Sequence, residues 1–318
     1  MITNKFWNHK TQKIIKAAIA AYLVLSLVPC VYVARKAYNK ISDKIKVDAS
    51  KKQIKAALVS SQSVFSLANE AGGGGRFNPT LIAHAGGVLF DRSGAMLTYT
   101  NSKEAIVQNY NRGHRCFEID FTLTKDGRLA AVHDWEEGKR ITGKNWADAP
   151  TSKEWLEAKI LGEYTTLFID DIVNLMEIYQ DMYIVTDTKE ASDTEYITIE
   201  FMEIKRAAEK SSYGIMDRIV PQIYLPQMLE TLYAIYEFQN VIYTLYQSPQ
   251  TDYEVMQFVV SHKSITAVTM PLYRANAEFV EALTQAGKKV YVHTVNKFEE
   301  AYQTREKGVS GIYTDYLY

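Results

Sequence analysis

Residues 116–122 read Cys-Phe-Glu-Ile-Asp-Phe-Thr (CFEIDFT), an apolar and aromatic segment that contains two acidic residues. A short run of apolar, aromatic and β-branched residues predicts a β-strand. Side chains two residues apart on a strand point to the same face, so Glu118 and Asp120 present both carboxylates on one side. The stretch therefore predicts a strand with an acidic face, and the segments around it define the sheet to which it belongs.

Short β-branched or aromatic runs alternate with amphipathic segments of helical length on both sides of this strand. The candidate strands are Thr80 to Ala83, Cys116 to Thr122, Tyr183 to Thr186, Ile219 to Tyr224, Val241 to Leu245, Ala267 to Met270, Lys289 to Thr294 and Gly311 to Thr314. The candidate helices are Ser102 to Asn111, Leu167 to Tyr179, Thr194 to Glu209, Gln227 to Tyr236, Tyr253 to Ser261, Ala277 to Ala286 and Lys297 to Glu306. This alternation is typical of βα units, and eight of them predict an α/β fold of the TIM (β/α)8 barrel type.

Several polar residues come where predicted strands end, and in such barrels the active site lies at that end. Asp187 ends the strand that follows the acidic stretch, so three carboxylates can be offered to one ion. Oxygen ligands of this kind hold Ca²⁺ or Mg²⁺. The alternative is that Glu118 and Asp120 pair with lysine or arginine side chains.

Two histidines also come at these ends, His84 after the first strand and His133 after a hairpin-like extension of the second. One imidazole can take a proton from an attacking hydroxyl while the other gives one to the leaving alkoxide, as phosphodiester cleavage requires. Lys189, two residues after Asp187, could neutralise a phosphate oxygen. A single histidine on a strand is more often structural, so the interpretation depends on both histidines together with the acidic pair.

Ordered motifs along the chain carry a family resemblance. They are His84-Ala85-Gly86, Asn101-Ser102, Gly113, Phe117-Glu118-Ile119-Asp120, Thr124-Lys125-Asp126-Gly127, His133-Asp134, Asp187-Thr188-Lys189, His293-Thr294-Val295-Asn296 and Gly311-Ile312-Tyr313-Thr314-Asp315. Together they resemble the glycerophosphodiester phosphodiesterases. The resemblance implies a TIM barrel, a divalent metal, often Ca²⁺ or Mg²⁺, and hydrolysis of a glycerophosphodiester to an alcohol and a glycerol phosphate. We expect the substrate to be lipid-derived or a cell-envelope polymer that contains glycerol phosphate.

Carried over by position, the resemblance implies that His84 and His133 are the acid and base. It implies that Glu118, Asp120 and Asp187 hold the metal and that Lys189 contacts the phosphate. Two alternatives stay open: a phospholipase-type lyase that releases a cyclic phosphate, and a catalytically weak binding module tethered to the membrane.

The chain departs from the family pattern at three positions. Ala85 stands where the family has the arginine of His-Arg-Gly, Thr100 where it has a glutamate, and Asp187 where it has a longer glutamate. Loss of an arginine removes a bidentate phosphate donor that lysine does not fully replace. The departures indicate a different substrate or a weaker activity.

The N-terminal part predicts a membrane-anchored protein. Ala17 to Ala34 form an uncharged run of about eighteen residues, close to the ~20 that cross a bilayer. We expect an anchor over residues 1–36, a basic and polar stalk with a glycine-rich joint over 37–78, and the barrel over 79–318. A cleaved signal peptide is the alternative, although no Ala-x-Ala site closes the run.

The orientation of this single-pass anchor stays open. More basic residues follow the span than precede it, which favours a cytoplasmic barrel under the positive-inside rule. The family resemblance implies an extracytoplasmic one.

The composition of the chain limits the classes of molecule that it is expected to bind. The chain is 47% hydrophobic with a net charge of −1, which is typical of a globular protein and gives no indication of nucleic-acid binding. Its two cysteines, Cys30 and Cys116, exclude a disulfide framework within the chain.

Overall fold

The computed structural model describes residues 77–318, and its centre is a closed parallel sheet. The barrel strands are β1 (Leu81–Ala83), β4 (Cys116–Leu123), β8 (Tyr183–Thr188), β9 (Ile219–Ile223), β10 (Val241–Thr244), β11 (Ile265–Pro271), β12 (Lys289–His293) and β13 (Gly311–Thr314). Strand β1 pairs with both β13 and β4, and this double pairing closes the ring. The eight predicted strands are thus the eight parallel strands of a TIM-like barrel.

Five further short strands lie outside the eight-stranded parallel barrel. They are β2 (Leu89–Phe90), β3 (Met96–Leu97), β5 (Leu129–Ala131), β6 (Lys159–Ile160) and β7 (Tyr164–Thr165). Strand β5 pairs antiparallel with the end of β4, so the hairpin-like extension expected before His133 is present. The other four form two small hairpins, β2 with β3 and β6 with β7.

Nine α-helices lie between residues 77 and 318. They are α1 (Lys103–Asn111), α2 (Trp135–Thr142), α3 (Ser152–Glu157), α4 (Ile169–Ile178), α5 (Thr194–Ala208), α6 (Met228–Ile235), α7 (Asp252–Ser261), α8 (Ala277–Gln285) and α9 (Phe298–Glu306). Short 3₁₀ turns occur at His84–Gly86 and Ile215–Arg218. The seven predicted helices are all found, whereas α2 and α3 are additional.

Two apolar layers hold the barrel together. Alternate strand residues fill the interior, among them Ile82, Val185, Val220 and Tyr291, and all four are buried. The opposite faces of the same strands pack against the helices in a larger core. The period-2 alternation leaves only the strand ends free for polar side chains, and this places the site at the barrel mouth.

The predicted anchor over 1–36, including Ala17 to Ala34, and nearly all of the predicted stalk over 37–78 lie outside the described residues. Among residues 77–318, no helix has both the length and the apolar character needed to span a membrane.

Candidate active site

A carboxylate cluster lies at the C-terminal ends of β4 and β8. Asp120 and Asp187 are direct partners in the parallel register of these strands, and Glu118 precedes Asp120 by two residues on the same face. Each of the three offers an oxygen within 4.8 Å of the other two. Glu118 and Asp120 are almost fully buried, with 3% and 1% of their side chains exposed. The structure thus brings together the three residues predicted as metal ligands.

Lys189 is the cation nearest to this cluster. Its ammonium contacts Asp120 and lies 2.5 Å from an oxygen of Asp187. Burial disfavours its charge, but the charges of Asp187 and Asp120 raise the pKa of Lys189 above its usual value. The alternative interpretation, in which a carboxylate pairs with a lysine, is therefore observed for Asp120. Lys189 was expected to contact phosphate, and in the structure it donates to carboxylates of the site.

The three carboxylates differ in how they are compensated. Burial, together with the charge of Asp120, raises the pKa of Glu118 to about 8. Burial alone would also raise the pKa of Asp187, but Lys189 and a hydrogen bond from Tyr224 hold it below its usual value. The raised pKa of Glu118 thus indicates that Lys189 and His84 do not fully compensate the buried carboxyl groups of the cluster. Buried carboxyl oxygens that lack a compensating cation fit a divalent ion such as Ca²⁺ or Mg²⁺.

Neighbouring polar groups fix the orientation of the carboxylates. The Asn101 amide donates to Asp120 Oδ2 at 2.9 Å, and the Ala85 backbone N–H donates to Glu118 Oε2 at 2.7 Å. Asp187 Oδ1 accepts hydrogen bonds from Gln222, at 2.9 Å, and from the Tyr224 hydroxyl. Shortening the side chain of Asn101, Gln222 or Tyr224 would free a carboxylate oxygen to rotate.

The loop that carries His84 turns sharply and is held by α1. Ala85, Gly86 and Gly87 all adopt positive φ, between 48° and 82°. A Cβ on Gly87 would lie 2.6 Å from the Asn109 amide nitrogen, which donates to Val88 O at 2.7 Å. Glycine is thus required at 87 both by the conformation and by the close approach of α1.

His84 has a carboxylate on one ring nitrogen. Its Nδ1 lies 2.7 Å from Asp315 Oδ1, and its Nε2 lies 4.0 Å from Glu118 Oε2. The Asn296 side chain holds Asp315, donating to Oδ2 at 2.5 Å and accepting from the Asp315 backbone N–H at 2.8 Å. Burial by itself lowers the pKa of His84, but Asp315 and Glu118 raise it to about 9.

His133 has the same arrangement on the other side of a tyrosine. Its Nδ1 lies 2.7 Å from Asp134 Oδ2, and Asp134 also caps α2 through the Glu137 N–H. The Tyr99 ring contacts both imidazoles, with centroid distances of 4.7 Å to His84 and 5.5 Å to His133. In each histidine a carboxylate engages Nδ1, which leaves Nε2 as the nitrogen able to exchange a proton with a bound molecule.

One cleft joins these groups. It has a volume of about 450 Å³ and is lined by both histidines, Glu118, Asp187 and Lys189. Of the aromatic residues near strand ends, Tyr99 and Tyr224 also line it. Asp315 and Asn296 belong to the sequence motifs, but the sequence analysis gave neither a role. It missed the hydrogen bond between Asp315 and His84 and the bond from Asn296 that holds Asp315. Gln222 and Tyr224 were missed as partners of Asp187, although their spacing of two in the predicted strand Ile219 to Tyr224 indicated that they share a face.

The fold and the cleft define an α/β-barrel enzyme with an acidic, histidine-flanked site at the mouth of the barrel. The model of the glycerophosphoryl diester phosphodiesterase family matches residues 92–317. This match covers most of the chain, so the protein belongs to that family and is a phosphoric diester hydrolase.

Solved structures share the fold. One is a putative glycerophosphoryl diester phosphodiesterase from Silicibacter pomeroyi, 18% identical, with a TM-score of 0.62 over 76% of this chain and 92% of that one. A putative glycerophosphodiester phosphodiesterase from Galdieria sulphuraria is 17% identical, with a TM-score of 0.63 over 75% and 94%. An Oleispira antarctica phosphodiesterase, solved with the product sn-glycerol-3-phosphate, is 17% identical with a TM-score of 0.60 over 75% and 94%. No curated protein matches the sequence.

Proposed function

We propose that this enzyme hydrolyses glycerophosphodiester bonds in lipid-derived or cell-envelope substrates, with a divalent metal and a pair of histidines. The observation that carries the proposal is the convergence of oxygens of Glu118, Asp120 and Asp187, two of which, Glu118 and Asp187, line one cleft together with His84. The product bound to the Oleispira protein, which shares the fold, supports a glycerol phosphate product.

Glu118, Asp120 and Asp187 would hold Ca²⁺ or Mg²⁺ in this proposal. When bound, such an ion stabilises negative charge on phosphoryl oxygens. Lys189 donates to Asp120 and Asp187, and a lysine ammonium has a third N–H with which to contact a phosphate oxygen. Lys189 would thus contribute to phosphate binding without leaving its carboxylates.

The histidines would transfer the protons. In the first step the Nε2 of one imidazole accepts the proton of the attacking hydroxyl, the glycerol 2-hydroxyl of the substrate, as that oxygen bonds to phosphorus. The bond from phosphorus to the leaving oxygen breaks, and that oxygen takes a proton from the other imidazolium. Water then opens the cyclic phosphate with the two roles exchanged.

Asp315 and Asp134 would keep each ring oriented for these transfers. A carboxylate at Nδ1 holds the N–H on that nitrogen in the neutral imidazole and stabilises the imidazolium once Nε2 gains a proton. Tyr99 packs against both rings and would help to hold them in place.

The experiment is an assay of the purified full-length chain in detergent against a panel of glycerophosphodiesters, with and without divalent ions. Phosphorus NMR identifies the product. Glycerol phosphate together with the free alcohol supports the hydrolase, whereas a cyclic phosphate that accumulates indicates the lyase alternative. Binding of the diesters without any turnover indicates the catalytically weak binding module.

We also propose that Ala17 to Ala34 anchor the barrel to a membrane. The uncharged run and its basic flank support this proposal. An anchor would hold the cleft close to lipid-derived or cell-envelope substrates on whichever side the barrel lies.

A further inference from the structure

His293 lies in the same cleft on the side opposite the carboxylates. It ends β12, and around the ring β11 and β12 are the strands farthest from β4 and β8, which carry the three carboxylates. The cleft is lined on this side by His293, Thr294, Thr244, Tyr246 and Gln247. The proposed proton transfers and metal site use none of these residues.

The His293 ring is fixed in place, yet one of its nitrogens is unused. Its Nδ1 lies 2.9 Å from the hydroxyl of Thr269, which is fully buried on β11. The rings of Tyr246 and Tyr313 pack edge-to-face against it, at 5.9 Å and 6.1 Å. Its Nε2 is buried and has no hydrogen-bond partner among the described residues. A buried polar atom of this kind needs a partner, and here a bound molecule can supply it.

The chemistry of this side is polar but uncharged. Burial, reinforced by the charge of His84, lowers the pKa of His293 to about 4, so the imidazole is neutral at pH 7. Hydroxyl groups of two threonines and a tyrosine and the amide of Gln247 complete the lining. None of these five side chains supplies a carboxylate for a cationic head group or an ammonium for a second phosphate.

A neutral molecule with several hydroxyl groups fits this lining best. Each hydroxyl both donates and accepts hydrogen bonds, and hydroxyl, amide and imidazole groups can satisfy both functions. Tyrosine rings add apolar area for the carbon face of a polyol or sugar.

We propose that His293, positioned by Thr269, determines specificity for a neutral, polyhydroxylated alcohol group of the phosphodiester. The inference rests on the proposed function, because the alcohol must reach this side of the cleft while its phosphate lies near the carboxylates. Glycerol, inositol and sugar groups share the required chemistry, and the imidazole Nε2 hydrogen-bonds one of their hydroxyls.

The test compares four diesters: glycerophosphoinositol, glycerophosphoglycerol, glycerophosphocholine and glycerophosphoethanolamine. The wild type is expected to prefer the first two. His293→Phe keeps the ring and removes both nitrogens, so kcat/KM for the first two is expected to fall about 10-fold, mainly through KM. The two amine-containing diesters are expected to change less than about twofold.

Two further variants separate hydrogen bonding from structure. His293→Gln places an amide near the position of Nε2 and is expected to recover most of the preference. Thr269→Val removes the ring's anchor with little change in volume and is expected to give a partial loss. His262→Phe, a matched substitution of a histidine at the end of α7 that does not line the cleft, serves as the control, and thermal melting checks that each variant is folded.

Equal losses for all four diesters, no loss for the polyol diesters, or a wild-type preference for choline would overturn the inference while leaving the proposed function in place. Absence of turnover of every diester would instead contradict the proposed function. Calorimetric titration with glycerophosphoinositol then decides the inference by itself. Weaker binding to His293→Phe supports it, and equal binding to both proteins overturns it.

Discussion

Replacing Asp315 with asparagine tests whether the backing of His84 matters for catalysis. Asp315 accepts two hydrogen bonds, one with His84 Nδ1 at 2.7 Å and one from the Asn296 amide. An asparagine has a single acceptor oxygen. If that oxygen keeps the bond from Asn296, the new NH₂ group faces His84 Nδ1 and forces the proton onto Nε2.

The expected loss follows from these contacts. A hydrogen bond to a charged group contributes about 1.5–3 kcal/mol, which corresponds to roughly 10- to 150-fold in rate when it stabilises the transition state. An imidazole with its proton on Nε2 cannot accept one there, and general acid–base catalysis is worth about 10²–10⁴-fold. We therefore expect Asp315→Asn to lower kcat by at least about 10²-fold with a small effect on KM.

The assay is steady-state hydrolysis of the best diester from the panel, with a melting curve for each protein. Asp181→Asn is the matched control, because Asp181 also pairs with a basic side chain, Arg115, but does not line the cleft. If Asp315→Asn were folded and kept the full kcat, the assignment of His84 to proton transfer would be wrong.

Three other outcomes are expected. His84→Ala and His133→Ala should each lower kcat about 10²–10⁴-fold. A nitrophenyl diester, whose leaving group needs no acid, should rescue the variant that lacks the general acid far better than the variant that lacks the base, and equal rescue of both would mean that the histidines only position the substrate. Burial raises the pKa of Glu200 to about 8, so its contribution to the stability of the fold should fall as pH rises from about 4.5 to 8, by on the order of 1 kcal/mol per pH unit. In denaturant titrations Glu200→Gln should therefore lose stability less steeply than the wild type over this range, and equal slopes of stability against pH would contradict this pKa. Mass spectrometry of the mature chain should find residues 17–34 attached, and an N-terminus near Arg35 would indicate a cleaved signal instead.

The sign of the Glu200 effect follows from its surroundings. The side chain is fully buried, Thr188 donates to one oxygen at 3.1 Å, and the other oxygen has no partner among the described residues. A carboxyl group with a raised pKa in the folded state stabilises the fold below its unfolded pKa, and this contribution is lost as pH rises through the folded value.

The sequence predicts the barrel well because alternation within strands and amphipathic periodicity within helices are local signals. The eight strands and seven helices were confirmed, with most ends shifted by one or two residues. Helices α2 and α3 were missed because they lie in a polar, glycine-containing stretch. They are supported by distant packing: Trp155 is fully buried and contacts Trp135.

The site was only partly predictable. Strand spacing was enough to bring Glu118, Asp120 and Asp187 together, because register and pleat are regular. The contact of Asp315 with His84 joins residues 231 positions apart, and no local pattern reports such a contact. Aromatic residues near the site are equally hard to assign from sequence: Trp135, which follows His133-Asp134, packs against Trp146 and Trp155, and Tyr273 is 85% exposed outside the cleft.

A metal titration of the chelator-treated enzyme, with hydrolysis of a glycerophosphodiester as the readout, tests whether the three carboxylates form a catalytic metal site. We expect Ca²⁺ or Mg²⁺ to restore activity saturably in the wild type, and Glu118→Gln to require a much higher ion concentration because one buried charged ligand is lost. Full activity after chelation, or the same ion requirement in Glu118→Gln, would contradict a metal site formed by Glu118, Asp120 and Asp187.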